Sequence, residues 1–475
     1  MAEAATTPLN IAPGGAALGI YAKLPAKVDP MLWRVERFAL QAVARSVLPK
    51  SRTAVCMRNR VKGAQVQIWR SVKHGTACYQ GLQTCGSVWT CPVCAAKIAE
   101  RRKHELLDAM KVHEAHGGFV QLLTLTTPHG RGDDLEALLD SQGKALSAFR
   151  ADRAVKAIFA EMGHVGQVRA LEVTHGRKST RNNGWHPHFH ILQFCDREST
   201  PLERNAWADA LYERWAKFCE KAGLGKPSRE HGIRLDDGSK ASAYVTKWGL
   251  EDEMTKGHTK RGKDGGETPF DLLRALLADG KDKQAAALFR EYALKFKGKQ
   301  QLSWSNGLKG RLSVSEMSDS EILATVDDKA EFLCQIGLND WRRVLRVNGQ
   351  GQLVAIAARQ GWEGVAAFLV TLSKAKKRVA VVAESAGGQT FGVVVGGIGG
   401  IAPDVQPLSR EVPSDEIHEV TSAPANGIEL SCVQGEQSRP QPKCGKDHDG
   451  RPSASMAERS ASRLKRQTRE SASGV

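Results

Sequence analysis

Residues 185–192 have the sequence Trp185-His186-Pro187-His188-Phe189-His190-Ile191-Leu192. Successive side chains of a strand point to opposite faces, so in an extended conformation the three histidines share one face and the apolar residues between them share the other. Neutral imidazoles in this arrangement are ligands for a divalent metal ion. The stretch therefore predicts a sheet strand that carries a metal site. Taken alone, it also fits a strand whose histidines only decorate the surface.

A second predicted strand supplies a carboxylate for this site. It covers residues 168–174, and the polar segment 176–184, which begins and ends with glycine, joins it to the histidine strand. Such a connection predicts a long hairpin loop, which would place Glu172 beside the histidines. We therefore expect Glu172, His188 and His190 to bind one divalent ion and to leave positions open for substrate oxygens.

Length and charge narrow the class of protein. A chain of 475 residues exceeds the usual size of one hydrophobic core, so more than one folded unit is expected. The net charge of +16 favours a polyanionic partner. No apolar run in the sequence reaches the about 20 residues that cross a bilayer, and the first residues lack an export signal. A cytoplasmic protein without a membrane partner is the expectation.

A cluster of cysteines predicts a second metal site. Four of the ten cysteines lie within residues 78–94, namely Cys78, Cys85, Cys91 and Cys94. His74 and Cys56 lie nearby in the sequence. Clustered thiols in a reducing compartment indicate zinc rather than disulfides, and the spacing Cys91-Pro92-Val93-Cys94 is typical of a zinc knuckle. We expect these four cysteines to bind structural Zn²⁺, with His74 as the substitute for Cys78. Reduced thiols without a metal and a redox pair are the alternatives.

The remaining patterns complete the predicted fold. Residues 119–127 predict a buried strand, residues 134–162 have helical periodicity, and a short strand is expected at 232–235. Trp207, Leu211, Trp215 and Phe218 recur at helical spacing, which indicates one core-facing stripe. The fold class is therefore α+β, an antiparallel sheet with flanking helices, plus a small zinc knuckle and a helical carboxyl-terminal region.

A third chemical element lies in the helix predicted after residue 237. Tyr244 and Lys247 are three residues apart, so they share one face of that helix. A phenol becomes a usable nucleophile when a cation stabilises the phenolate and a metal makes the phosphorus more electrophilic. Tyr244 is thus a candidate nucleophile with Lys247 as its cation, although a Tyr-x-x-Lys pair by itself is more often structural.

The three elements, in this order, resemble the plasmid rolling-circle replication initiators (Rep proteins) of the His-hydrophobe-His (HUH) endonuclease superfamily. The likeness is to members with a single catalytic tyrosine and an amino-terminal cysteine cluster. The resemblance covers roughly residues 75–310, and its motifs are Leu123-Thr124-Leu125-Thr126-Thr127-Pro128-His129, His186-Pro187-His188-Phe189-His190, Tyr244-Val245-Thr246-Lys247, Cys85 with Cys91-Pro92-Val93-Cys94, and Gln301-Leu302-Ser303-Trp304-Ser305. In the related conjugative relaxases the tyrosine precedes the histidines, whereas here it follows them.

The resemblance implies a metal-dependent, site-specific single-strand endonuclease and strand transferase. Mg²⁺ or Mn²⁺ at Glu172, His188 and His190 would polarise a phosphate of single-stranded or extruded hairpin origin DNA. Tyr244 would attack it, leaving a 5′-phosphotyrosyl link and a 3′-hydroxyl that primes synthesis, with a host helicase and polymerase as partners. Reversal would rejoin the strand without ATP. His129 and His186 would touch the metal or phosphate, or else be structural or surface residues.

The sequence departs from the family one helical turn before the nucleophile. Some relatives carry an acidic residue or a second tyrosine there to resolve the last intermediate, but position 240 is Lys240. Termination by a carboxylate at that position is therefore in doubt. Glu251, two turns after Tyr244, is the residue that could position water instead.

The expected organisation of the chain follows from these motifs. It consists of a variable segment at 1–50, the cysteine-cluster zinc-binding region and a basic helix at 51–115, the HUH nicking and strand-transfer domain at 116–310, an accessory helical region at 316–375, and a largely disordered tail at 378–475. Cations of the basic helix, which begins near Lys97, would face solvent or contact phosphates.

Two other functions fit part of the sequence. An HUH-type transposase would share the catalytic elements, and its gene would lie beside terminal element sequences rather than a plasmid origin. A zinc-dependent, non-enzymatic DNA-binding regulator would need only the cysteines and the basic charge. It would leave Glu172, His188, His190 and Tyr244 without a role.

Overall fold

The computed structural model of the protein describes residues 30–71, 74–246, 266–315, 317–325 and 330–374, and the backbone of residues 380–384 and 390–394. Its helices are α1 (Pro30–Val47), α2 (Arg52–Val55), α3 (Pro92–Ala115), α4 (Leu135–Ala151), α5 (Arg153–Glu161), α6 (Pro201–Lys221), α7 (Arg229–Gly232), α8 (Gly238–Thr246), α9 (Pro269–Ala278), α10 (Lys283–Lys295), α11 (Leu308–Arg311), α12 (Asp319–Ala324), α13 (Leu338–Arg346) and α14 (Gln350–Lys374). Its strands are β1 (Val66–Ser71), β2 (Thr76–Gln80), β3 (Phe119–Thr126), β4 (His164–His175), β5 (Trp185–Cys195), β6 (Ile233–Asp236), β7 (Leu302–Trp304), β8 (Ala330–Ile336), β9 (Ala380–Glu384) and β10 (Thr390–Val394).

A five-stranded antiparallel sheet in the order β6-β3-β5-β4-β7 forms the centre of the fold. The hairpin β4-β5 is the one predicted from sequence, and its register places Glu172 opposite His188. Pro187 lies inside β5, where it cannot donate a ladder hydrogen bond. It is tolerated because β3 pairs with β5 only as far as His188, so Pro187 faces β4 alone. The predicted α+β class with an antiparallel sheet and flanking helices is confirmed.

The two faces of this sheet differ. Leu123, Leu171, Phe189 and Ile191 point to one face and join a large core with apolar residues of α1, α4, α6, α9 and α10. The opposite face has two halves. The half that contains Leu122 and the carboxyl-terminal end of β5 is apolar, and it packs against α3, α8 and α11. The other half of that face carries the histidines of β5, which are partly buried rather than covered.

Helix α6 confirms the predicted aromatic stripe. Trp207, Leu211 and Trp215 are buried in the large core, and Phe218 packs against its edge. The helical stretch predicted over 134–162 is two helices instead of one, because Asp152 ends α4 and its side chain accepts hydrogen bonds from the first backbone N–H groups of α5. That side chain satisfies amides that would otherwise be unpaired at a helix start.

A second sheet joins two distant parts of the chain. Strand β1 pairs with β2 on one side and with β8 on the other, so residues 66–80 and 330–336 form one antiparallel sheet. Its inner face packs against α13 and α14, with Ile68, Tyr79 and Trp341 in the shared core. The region 316–375 was predicted to be an accessory helical region, but it also contributes strand β8. It shares a core with residues predicted to lie in the cysteine-cluster region.

Helix α14 is long and apolar enough to cross a membrane by length and composition, which the sequence pattern did not suggest. More than half of its most apolar window is buried inside the protein (56%), where it covers the second sheet. These observations identify α14 as a core helix. The tail predicted to be largely disordered contains the antiparallel pair β9-β10, and the rest of residues 378–475 lies outside the described residues.

Cations of the basic helix α3 have partners within the protein. The Lys97 ammonium donates to the carbonyl oxygens of Leu323 and Thr325, at 2.9 and 2.6 Å. Arg102 pairs with Glu105 of the same helix and with Asp319 at the start of α12. These two side chains tie α3 to α12, so they are not the freely solvated or phosphate-contacting cations expected from the sequence.

Candidate functional site

Three side chains converge on the half of the central sheet that carries the histidines of β5. Glu172 comes from β4 and His188 and His190 come from β5, and one donor atom from each lies within 4.8 Å of the other two. The strand pairing accounts for this, since Glu172 stands opposite His188 and next to the row of His190. The alternation of a strand brings all three to the same face. The side chains keep 22%, 13% and 19% of their surface exposed, so they are partly accessible to solvent.

The donor atoms fit one divalent ion. The Glu172 carboxylate oxygen Oε2 lies 3.5 Å from His188 Nε2 and 3.7 Å from His190 Nε2. Two ligands that each stand about 2.1 Å from an ion are at most about 4.2 Å apart. Both distances lie below this limit, and one carboxylate with two imidazoles is a donor set that leaves coordination positions for substrate.

Tyr244 reaches this group from helix α8. Its hydroxyl donates a hydrogen bond of 2.6 Å to Glu172 Oε1, the carboxylate oxygen that does not face the imidazoles. Its ring packs against His190 with 4.6 Å between ring centroids. Helix α8 is held in place by apolar contacts of Ala241 and Val245 with the central sheet. The Asp237 side chain accepts a hydrogen bond from the Lys240 backbone N–H at the start of α8.

The imidazoles are oriented by hydrogen bonds to their second nitrogens. Thr124 Oγ1 lies 3.0 Å from His190 Nδ1, across the β3-β5 pair. The Nδ1 of His188 lies 3.2 Å from the backbone oxygen of His186. Both contacts use Nδ1 and leave Nε2 for the ion, which is how metal-binding histidines are commonly held. Sequence reasoning placed Thr124 in a motif without giving it a role.

His129 and His186 lie beside the three-residue group. Their Nδ1 atoms are 3.1 Å apart, so one ring donates a hydrogen bond to the other. Burial, together with the nearby His188, lowers the pKa of His186 well below its ordinary value, and burial also lowers the pKa of His129. Both rings are therefore neutral near neutral pH. Neither belongs to the group formed by Glu172, His188 and His190.

A second candidate metal centre lies between α2, the segment before α3, and α3 itself. It consists of Cys56, Cys85, Cys91 and Cys94, all buried, with sulfur atoms within 4.8 Å of one another. The closest pairs of sulfurs are 3.4 to 3.7 Å apart. Tetrahedral zinc with Zn–S bonds of about 2.3 Å separates its sulfurs by about 3.8 Å. The arrangement is therefore close to that of a four-cysteine zinc site.

Polar hydrogens surround these sulfurs, as they do in thiolate sites. The backbone N–H of Cys85 lies 3.3 Å from Cys56 Sγ, and the Gln41 side-chain amide lies 3.2 Å from Cys91 Sγ. Hydrogen bonds from the neighbouring Cys56 thiol and the other cysteines lower the pKa of Cys85. Burial raises the pKa of Cys91, so the hydrogen-bond donors and a bound metal ion, rather than burial, would stabilise negatively charged sulfur here.

The structure corrects one predicted cysteine ligand. Cys78 lies in β2, opposite Trp69 of β1, and is not part of the cluster. His74 is exposed in the turn before β2 and is not part of it either. The fourth sulfur comes from Cys56, because backbone hydrogen bonds between residues 57–59 and Gln83 bring the end of α2 against the segment that carries Cys85. The sequence showed Cys56 nearby but offered no spacing that favoured it.

Two of the predicted site residues, Lys247 and Glu251, lie outside the described residues. Lys240 lies within α8, one turn before Tyr244, where some members of the resembled family carry an acid.

Comparisons with known proteins support the predicted class. Residues 79–222 match the model of a family described as replication protein. This segment contains Glu172, His188 and His190, but neither Cys56 nor Tyr244. No solved structure matches the chain significantly.

Two relatives with curated names are similar to this chain. "Protein rep" of Streptomyces lividans is 26% identical over 347 residues, an alignment that covers 57% of this chain and 74% of the relative. "Neomycin resistance protein" of Streptomyces cyanogenus is 31% identical over 142 residues, which cover 25% of this chain and about a third of the relative (32%). Together, the family match and the similarity to "Protein rep" support a Rep family of replication proteins for this chain.

Proposed function

We propose that this protein is a plasmid replication initiator that nicks one strand of origin DNA with Tyr244 as the nucleophile and later rejoins it. The observation that carries the proposal is the position of the Tyr244 hydroxyl, 2.6 Å from a carboxylate whose other oxygen is 3.5 Å from His188. The candidate nucleophile therefore lies beside the candidate metal ligands on one face of the sheet. The similarity to replication proteins supports a role in plasmid replication, and nicking followed by rejoining is the chemistry of rolling-circle replication.

Glu172 connects the two halves of the site. Its Oε1 accepts the hydrogen bond of the Tyr244 hydroxyl, so it orients the phenol and offers an acceptor for the phenolic proton. The phenolate oxygen then forms a bond to the phosphorus, and the bond from phosphorus to the 3′-oxygen breaks. The DNA keeps a 3′-hydroxyl, protonated from solvent, and the 5′-phosphate stays on Tyr244.

Glu172, His188 and His190 would hold a divalent ion, Mg²⁺ or Mn²⁺, which would act as a Lewis acid and make the phosphate more electrophilic. The protein residues around the site hold the two histidine rings in one orientation. Thr124 and the His186 carbonyl hold the two rings, and the ring of Tyr244 packs on His190. His129 and His186, which contact each other beside this group, are assigned to contacts with the phosphate.

The same reaction run backwards closes the strand. The 3′-hydroxyl attacks the phosphotyrosyl bond and releases Tyr244, so the bond energy is conserved and no ATP is needed. A host helicase and polymerase extend the 3′-end between the two steps. Since Lys240 stands where some relatives have an acid, Glu251 is the residue that we assign to water positioning at termination.

The four cysteines Cys56, Cys85, Cys91 and Cys94 are assigned to structural Zn²⁺. All four are buried, and no catalytic side chain lies among the residues packed around them. A closed four-cysteine set has no position for a substrate. The ion would fasten α2 and the segment before α3 to α3.

The proposal is tested by incubating the purified full chain with single-stranded origin DNA in the presence and absence of added Mn²⁺. We expect metal-dependent cleavage by the wild type and a loss of more than about 100-fold in His188→Ala, since even second-shell changes cost about 10- to 100-fold. The control is His104→Ala, a histidine exposed on α3 (59% of its side-chain surface). Failure of the wild type to cleave any strand of a supercoiled or single-stranded origin would contradict the proposal.

A further inference from the structure

The outer face of the three-stranded sheet carries amide and aromatic side chains. One cross-strand row consists of Gln80, Gln67 and Gln335, and the next contains Trp69 and Phe332. The opposite face of the same sheet is the one that packs against α14. These side chains therefore have no part in the core of this region.

The face is accessible. Phe332 is 48% exposed, and its ring meets that of Trp69 edge to face with centroids 5.6 Å apart. Gln335 is exposed, and Gln67, Trp69 and Gln80 are partly exposed. Among the described residues, an open groove of about 520 Å³ runs along this face, lined by Gln65, Gln67, Trp69 and Gln80 together with Gly63 and Gly81.

One wall of the groove is a fixed part of the fold. The segment before β1 is held against the end of β2 by the hydrogen bond from the Val61 N–H to the Gly81 carbonyl, at 2.9 Å. Gly81 has a φ of +77°, and a Cβ at this position would lie 1.9 Å from the Gln65 carbonyl oxygen. A residue without a side chain is therefore required for the wall to approach β2 this closely.

The chemistry of the groove suits the bases of a nucleic acid. The Trp69 indole N–H donates to Gln67 Oε1 at 3.1 Å, which orients the Gln67 amide on the open face. Glutamine amides offer a donor and an acceptor side by side, which matches the edge of a base. Aromatic side chains on an open sheet face are platforms on which unpaired bases stack. None of the groove-lining residues is charged, whereas Arg60 and Lys62 lie in the wall segment, where phosphates could pair with them.

We propose that this face is a second DNA-binding surface, which stacks and hydrogen-bonds two or three unpaired bases of single-stranded DNA. The choice of DNA rests on the proposed function, because strand displacement at a nicked origin produces such DNA. Duplex DNA is excluded because its base faces are already stacked on one another. The bases stack on Trp69 and Phe332, and the glutamine row contacts the edges of the bases. Arg60 and Lys62 pair with the phosphates of the DNA backbone.

The test uses the full chain without added Mg²⁺ or Mn²⁺, so that cleavage plays no part. The probe is a short fluorescent single-stranded oligonucleotide that contains 5-iododeoxyuridine, for anisotropy and for photocrosslinking with peptide mapping. We expect crosslinks in the peptides of Trp69 and Phe332, and an affinity about 10-fold lower in Trp69→Ala and in Phe332→Ala. Trp69→Phe, which keeps a ring, should retain most of the affinity.

The matched control is Leu202→Ala, which removes an exposed apolar side chain from α6 (80% exposed) and should bind as the wild type does. If Trp69→Ala unfolds, Gln335→Glu replaces it, since Gln335 is exposed and the added carboxylate repels DNA. Unchanged affinity in the folded variants, with no crosslink on β1 or β8, overturns the proposal. So does protection of Trp69 from chemical labelling in the DNA-free protein, because another segment or a peptide then covers the face.

The two proposals fail independently. A protein that nicks origin DNA with Mn²⁺ but shows no crosslink on this sheet leaves only the second surface refuted. A protein that crosslinks through Trp69 and Phe332 but never cleaves leaves only the nicking proposal refuted.

Discussion

Thr124 holds a predicted metal ligand from the neighbouring strand. Its hydroxyl lies 3.0 Å from His190 Nδ1, which leaves Nε2 directed toward Glu172. Thr124→Val keeps the shape of the side chain and removes the hydrogen bond, so we expect Mn²⁺ affinity to fall by about 10- to 100-fold. Calorimetric titration of Mn²⁺ measures it. Thr124→Ser, which keeps the hydroxyl, is the control, and equal affinities in the Val and Ser variants would show that the contact does not orient the ring.

Cys56 and Cys78 give a matched pair for the second metal centre. Cys56 lies in the sulfur cluster, whereas Cys78 lies in β2 outside it. We expect Cys56→Ser to lose the zinc of the purified protein and to unfold at lower temperature, because a structural zinc contributes directly to folding. Cys78→Ser should keep about one zinc per chain. Elemental analysis measures the zinc content, and thermal unfolding measures the stability. Loss of zinc in Cys78→Ser but not in Cys56→Ser would favour the ligand set expected from the sequence.

The sequence predicts some residues of the two candidate sites better than others. Glu172, His188 and His190 were predictable because the alternation of a strand and the pairing of a hairpin fix which side chains meet. Cys56 was not, since it precedes Cys85 by a stretch of chain whose course depends on hydrogen bonds between residues 57–59 and Gln83. Spacing between cysteines carries no information about such contacts.

The loop between β4 and β5 is anchored by a buried histidine and ion pairs. His175 Nδ1 accepts a hydrogen bond from the Arg177 backbone N–H at 3.0 Å, and the Arg177 guanidinium pairs with Glu267 and Asp282. Burial lowers the pKa of His175 from 6.5 to about 4, against the raising effect of Glu267. As pH falls below 6.5 the unfolded chain takes the proton before the folded one does. The folded state therefore loses stability between pH 6.5 and about 4.

We expect this loss to be smaller in His175→Gln, whose side chain does not titrate. Urea unfolding of both proteins, at neutral pH and at about pH 4.5, measures the dependence. The comparison is between the changes in unfolding free energy from neutral pH to about pH 4.5 in the two proteins. A destabilisation that the substitution causes equally at both pH values does not affect it. Equal changes in the two proteins would show that His175 is not protonated on unfolding in this range.

Elements with long, regular patterns were predicted, and so was the short strand β6, which was expected at 232–235 and runs over Ile233–Asp236. Strands β3, β4 and β5 and the aromatic stripe of α6 follow from periodicity. Strands β1, β2 and β8 were missed, because each has only five to seven residues with mixed polarity on the outer face. Their pairing joins Val66 to Ile336, and no local pattern reports a partner so distant in the chain.

At the scale of the whole molecule, the second sheet ties the carboxyl-terminal region to the cysteine-cluster region. Removal of β8, α13 and α14 would expose Ile68 and Tyr79, which pack against Trp341 and α14. A chain that ends after residue 325 should therefore be digested by protease much faster than one that ends after residue 374, which keeps every described residue of both cores. Limited proteolysis compares them. Equal resistance would show that residues 330–374 form an independent unit, as the sequence suggested.

The most direct test of the account is capture of the covalent intermediate on Tyr244. Full-length protein is incubated with Mn²⁺ and a single-stranded origin oligonucleotide, and the protein–DNA adduct is digested and mapped by mass spectrometry. The account predicts a 5′-phosphate attached to the peptide of Tyr244, with no adduct in Tyr244→Phe, although that variant still binds the DNA. A 5′-phosphate on another residue, or an undiminished adduct in Tyr244→Phe, would contradict it.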